Sequence, residues 1–169
     1  SRFKLCSAKV QPALTEITAA EDSNDWATVM GSAEQNVRQQ AFRLAVTDIR
    51  NYAEKWPAGL HAEDARKWEV NIVQEWVKEV KKLKDGDDVI SEMGMFKEVF
   101  PGDDAGYASL QRCLVRCLHS NIARVLDADD PVSIKKDRLL KLDYKPCGKQ
   151  YTPYFDELVK RAVVYLETP

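Results

Sequence analysis

Nowhere does the sequence hold about 18 consecutive apolar residues, so no segment reads as a bilayer-spanning helix. It has no Asn-x-Ser/Thr triplet, which removes one mark of an N-glycosylated secretory chain. No Gly-rich phosphate loop and no dinucleotide fingerprint occur, and no alternating run or hairpin dipeptide signals a strand. Histidine is scarce: His61 and His119 are the only two, and neither sits beside a Ser or Cys in a nucleophile motif. A formal net charge of -2 leaves no global attraction to nucleic acid or to a membrane surface. The acidic clusters at 85–88, 103–104 and 127–130 lack the ligand spacing of a calcium loop and read as turns and caps. No signal or transit peptide is visible at Ser1, and the missing initial Met fits a processed chain whose targeting segment has been removed.

What is present is helical periodicity. From Asp25 to about Trp56, apolar residues recur at Trp26, Val29, Ala33, Val37, Ala41, Leu44, Ala45, Ile49, Tyr52 and Trp56. Steps of three and four keep them on one side of a single long helix. Ser23, Asn24 and Asp25 offer capping oxygens, and Gly31-Ser32 is the expected weak point. A basic arm over 1–10 and a short helix from Pro12 to Ala20 precede it, and Pro57-Ala58-Gly59 ends it. The next helix spans about Ala62 to Lys84, with acids at its start and Lys81, Lys82 and Lys84 at its end, as the helix dipole favours. A shorter piece from Val89 to Phe100 is interrupted by Gly94. Asp103 or Asp104 caps a cleanly periodic helix through Leu126. Residues 132–151 show no sustained period, and Thr152-Pro153 opens a last helix through Leu166. The spacing predicts an all-α fold: a four-helix bundle with a helical C-terminal extension, divided as 1–128 and 129–169.

Asp48 falls inside the apolar stripe, where a carboxylate needs a partner; a basic side chain from a neighbouring helix is expected. Cys113 and Cys117 share one helix face. Together with Cys147 and Cys6 they leave three readings open: a disulfide to Cys147 or Cys6, free core thiols, or a metal site completed by a His. The segment 135–149 concentrates Lys135, Lys136, Arg138, Lys141, Lys145 and Lys149. It is either a solvated loop or a docking surface for an acidic partner. No convergent acid, base and nucleophile can be named, so no enzyme and no cofactor is expected.

Three groups of residues carry a resemblance over residues 8–128: Ala8-Lys9-Val10 followed by Trp26; Val37-Arg38, Arg43-Leu44 and Asp48-Ile49; and Ala105, Tyr107, Asn121-Ile122 and Val125-Leu126. Their order resembles the PsbQ-like four-helix bundles, extrinsic proteins on the lumenal side of photosystem II. Insertions around Met30–Glu34 and Val89–Pro101, the four cysteines, and everything from Asp129 onward depart from that pattern. The resemblance implies a non-catalytic subunit in the chloroplast thylakoid lumen, peripheral to the membrane. It would bind intrinsic and extrinsic subunits of photosystem II and help retain calcium and chloride at the oxygen-evolving complex. Arg38, Arg43 and the basic residues of 135–149 become its candidate partner contacts. Two other readings stand beside it: a soluble helical adaptor that receives a partner helix on an apolar stripe, and a metal- or heme-binding bundle using Cys113, Cys117 and a His.

Overall fold

The computed structural model describes residues 2–168, with side chains from residue 12 onward. Among them every regular element is helical: α1 (Arg2–Arg38), α2 (Phe42–Lys55), α3 (Ala62–Val80), α4 (Gly86–Val99), α5 (Asp104–Asp127), α6 (Val132–Leu140), a 3-10 turn (Lys145–Cys147) and α7 (Thr152–Glu167). No described helix is long and apolar enough to cross a membrane. The chain divides into two compact units, 1–76 and 77–169, with the division falling inside α3. The boundary expected at 128/129 lies instead within the second unit, because α5 packs on α6, on the 3-10 turn and on α7.

The long helix expected from Asp25 to Trp56 is two helices. Ser23, Asn24 and Asp25, expected as caps, sit inside the unbroken α1, which also contains Pro12 and Gly31. The break comes at 39–41, where Gln40 adopts φ 60°, the left-handed region. Gln40 N–H donates to the Val37 carbonyl (3.0 Å) and Ala41 N–H to the Asn36 carbonyl (2.8 Å). That pair of bonds is the Schellman closure of a helix C-terminus, a position that usually holds Gly. The turn resets the phase of the apolar pattern. Phe42, Ala45, Val46, Ile49 and Tyr52 are buried in α2, whereas Leu44 of the expected stripe points out, 58 % exposed.

Polar bonds tie α1 to α2 in antiparallel register. Ser32 and Asn36 both donate to Asp48 (2.7 and 2.8 Å), while Lys55 and Trp56 Nε1 both donate to Asp25 (2.5 and 2.7 Å). Asp48 is thus held by a hydroxyl and an amide rather than by the basic partner expected, because the hairpin sets α1's polar edge against it. Trp26 stacks on His61 and meets Tyr52 at a tilt of 55°, and Phe42 stacks on Trp76 at 5.4 Å.

The second unit is apolar inside. Asp85 and Asp103 cap α4 and α5 by accepting from Asp87 N–H and Gly106 N–H (both 2.8 Å). Gly94 does not interrupt α4. The two helices pack against each other, burying Val89, Met93 and Phe96 with Leu110, Leu114 and Leu118. Gly106 of α5 sits tight against α4: a Cβ there would lie 2.5 Å from Phe96 Cζ. α6 occupies the stretch in which no period is legible and buries only Leu139. Phe155 and Val159 of α7 complete the core, and Thr152 donates back to the Gly148 carbonyl (3.2 Å) instead of capping the helix.

Candidate functional site

The residues singled out by sequence are distributed widely. Arg38 is exposed and pairs with Glu34 at 3.4 Å, and Arg43 is exposed on α2. In the 135–149 segment, most cations already have partners inside the second unit. Lys135 donates to the Leu126 carbonyl, Lys136 pairs with Glu167, Arg138 with Asp130 (2.5 Å) and Lys141 with Asp137 (2.7 Å). Lys145 and Lys149 are exposed. These contacts are mostly on the surface, worth roughly 0–1 kcal/mol each, so they order the segment weakly.

Cys113, Cys117 and Cys147 are buried free thiols; the disulfide expectation finds no bonded pair among them, and the Cys6 side chain lies outside the described residues. Burial pushes the Cys147 thiol up to about 11, with Asp143 adding to the shift. Among the described residues no three of His, Cys, Asp and Glu converge as a metal would require. His119 is exposed, its Nε2 3.2 Å from the Tyr154 hydroxyl, and His61 stacks on Trp26.

A denser arrangement lies where sequence inspection did not place one. The turn after α3 (81–84) and the middle of α5 form a cleft of about 600 Å³, lined by Lys81, Lys82, Lys84, Arg116 and Arg124 together with Leu83, Cys117 and Ser120. A smaller adjoining cavity adds Arg112 and Cys113. On α5 the row Arg112, Arg116, Ser120, Arg124 repeats every four residues, which keeps it on one slowly winding face. The cleft is built around the end of α3, whose last carbonyls need partners. Arg116 donates to the Lys81 carbonyl (2.5 Å) and, more loosely, to that of Leu83 (3.4 Å), and the Cys117 thiol donates to Leu83 at 3.3 Å. The Arg116 guanidinium is therefore held in place by backbone.

No carboxylate lines this cleft. Lys82 pairs with Glu79, and Arg124 donates to the Asn121 amide oxygen, which is neutral. Asp85, Asp87 and Asp88, the next acids along the chain, begin α4 and lie outside the lining. The positive field reaches the thiol beside it: burial raises Cys113 above its usual value, while Arg116, Lys81 and Arg112 pull it down. Since the second unit holds equal numbers of acidic and basic side chains, the cleft reflects a separation of charge, not an excess.

A second concavity, of about 570 Å³, lies in the first unit between Leu14–Asp22 of α1 and the Lys55–Leu60 turn. Its floor holds Asp22, 2 % exposed, which accepts from the Tyr52 hydroxyl and from Leu60 N–H (2.6 Å). Burial, and then that bond, push Tyr52 up to about 12. With both carboxylate oxygens engaged inside the unit, Asp22 serves the fold.

The Lys81-to-Arg124 cluster escaped sequence inspection because the three lysines are explained by the α3 dipole alone. The four-residue repeat on α5 was the available signal. Comparison with protein-family models, with curated proteins and with solved structures finds no match to this chain.

Proposed function

We propose that this protein is a non-catalytic docking subunit of a larger assembly, held to an acidic protein surface by the cation-lined cleft of its second unit. The observation that carries this reading is the set Lys81, Lys84, Arg112, Arg116 and Arg124, gathered on one face with no lining carboxylate. A helix C-terminus offers only about half a negative charge, far less than that set supplies. Complementary charge steers and orients a partner more than it adds affinity, which suits a subunit that must seat in one pose.

The assembly itself is suggested by the PsbQ-like resemblance alone: the lumenal face of photosystem II, where such a subunit stabilises the oxygen-evolving complex. Washing thylakoid membranes at rising salt tests this. Going from about 0.15 M to 1 M shortens the screening length from roughly 8 to 3 Å and should release the protein. Absence from washed thylakoids and from the wash alike would remove photosystem II as the assembly. Retention at 1 M salt would remove docking through charge.

One observation favours the adaptor reading as a second. Leu14 (53 % exposed) and Leu60 (67 % exposed) flank the first unit's groove, beside Trp56 and Pro57, an apolar surface suited to a partner helix. Binding of that kind would survive high salt and be lost in a Leu14→Ser, Leu60→Ser double variant.

A further inference from the structure

We infer that the group seated in the cleft between the 81–84 turn and α5 is a phosphate ester: a phosphoserine or phosphothreonine within an acidic segment of the partner protein. The inference rests on the docking reading above and names the chemistry of its contact.

Three features favour phosphate over a lone carboxylate. The first is charge. A phosphomonoester carries about -1.5 to -2 near pH 7 and presents three strong acceptor oxygens, so it engages several donors at once. Lys81, Lys84, Arg116 and Arg124 line one cavity, whereas a carboxylate would leave most of that charge unmatched. The second is shape. At about 600 Å³ the cleft is concave and large enough for a phosphorylated side chain with its flanking backbone, unlike the flat rim on which surface carboxylates usually pair. The third is rigidity. The Lys81 and Leu83 carbonyls fix Arg116, so its remaining N–H groups are aimed before any ligand arrives. Arginine clusters arranged in this way are a recurring means of reading phosphorylated segments. The Ser120 hydroxyl already donates to the Arg116 carbonyl (3.1 Å), so it adds little, and the cations carry recognition.

Fluorescence anisotropy on the full chain tests this with two labelled peptides of equal length at matched ionic strength, one of alternating Glu and Gly, the other with phosphoserine in place of Glu. The phosphopeptide should bind at least about tenfold more tightly, and inorganic pyrophosphate should compete with it. Lys84→Gln with Arg124→Gln, both exposed positions, should weaken phosphopeptide binding about tenfold or more with the circular dichroism unchanged. Lys145→Gln with Lys149→Gln should leave it unaltered. Equal binding of the two peptides, lost in the Lys84/Arg124 variant, would overturn phosphate recognition and leave the docking reading standing. Binding of neither peptide would overturn both. Phosphopeptide binding that ignores Lys84→Gln and Arg124→Gln would overturn this cleft as the site. Arg116 is left intact in every variant because it also caps the end of α3.

Discussion

The two units differ in what holds some of their charged side chains. In the first, acids are the acceptors that join helices: Asp22 takes Tyr52 and Leu60 N–H, Asp25 takes Lys55 and Trp56, Asp48 takes Ser32 and Asn36, and Glu69 takes Arg50. The second also pairs acids with cations, Lys136 with Glu167, Arg138 with Asp130 and Lys141 with Asp137, but there Arg116 donates to the Lys81 and Leu83 carbonyls and Lys135 to that of Leu126. A cation bonded to a neutral carbonyl keeps its full charge outward. The first unit therefore spends its polarity on cohesion, and the second retains uncompensated charge beside an apolar core. On the proposed function, the same contrast separates a scaffold from a docking surface.

All four tryptophans lie in the first unit, so Trp fluorescence follows that unit while circular dichroism follows both. The largest expected effect is Asp22→Ala. It strips a buried hydroxyl and a partly buried N–H of their acceptor and should cost about 3 kcal/mol. The urea midpoint read by Trp fluorescence should fall well before the rest of the circular dichroism changes; coincident loss of both signals would mean that the two units unfold as one.

Next in size is alkaline sensitivity. The Tyr52 folded-state value, about 12, lies above its ordinary 10, so the neutral phenol is favoured by folding. Its contribution is complete below pH 10 and is lost as pH rises toward 12, amounting to roughly 2 kcal/mol after allowance for solvent. Trp-monitored urea titrations between pH 9 and 12 should show this fall, and Tyr52→Phe, already weaker at pH 9, should show less of it.

Gly106→Ala probes the second unit. A methyl pressed toward Phe96 and the Asp103 carboxylate should cost about 1–2 kcal/mol, with helix propensity offsetting part of the strain. Here circular dichroism should move first and Trp fluorescence should lag. The smallest effect is stabilising: Gln40→Gly relieves the left-handed turn and should add about 0.5–1 kcal/mol, read as a rise in the Trp-monitored urea midpoint. No gain would mean that Gln40 makes a compensating contact.

The helices that sequence located best are those whose apolar spacing is long and uninterrupted. α5 and α7 start and stop within a residue or so of expectation, whereas α3 starts where expected but stops at Val80, a turn short of Lys84. The break after Arg38 was illegible because Gln carries no turn signal. Its left-handed geometry is imposed by the hairpin that α1 and α2 form, and Gly31, the obvious suspect, sits quietly in α1. α6 was illegible for a different reason: a nine-residue helix that buries one side chain shows no period. Of the cleft, the arginine row on α5 could be read from spacing, but the lysines that meet it could not. Nothing in 81–84 says which helix will face it.

The sequence by itself determined that this chain is helical, where most of its helices run, and that its charge is nearly balanced. Those properties depend on residues three and four apart, and periodicity reports them directly. Tertiary structure alone decided that the long stripe folds back on itself, that Asp22 and Asp48 find uncharged partners, and that Lys81 and Lys84 meet Arg116 and Arg124 across a cleft. Each joins residues separated by a dozen positions or more, where packing, not local spacing, chooses the neighbour.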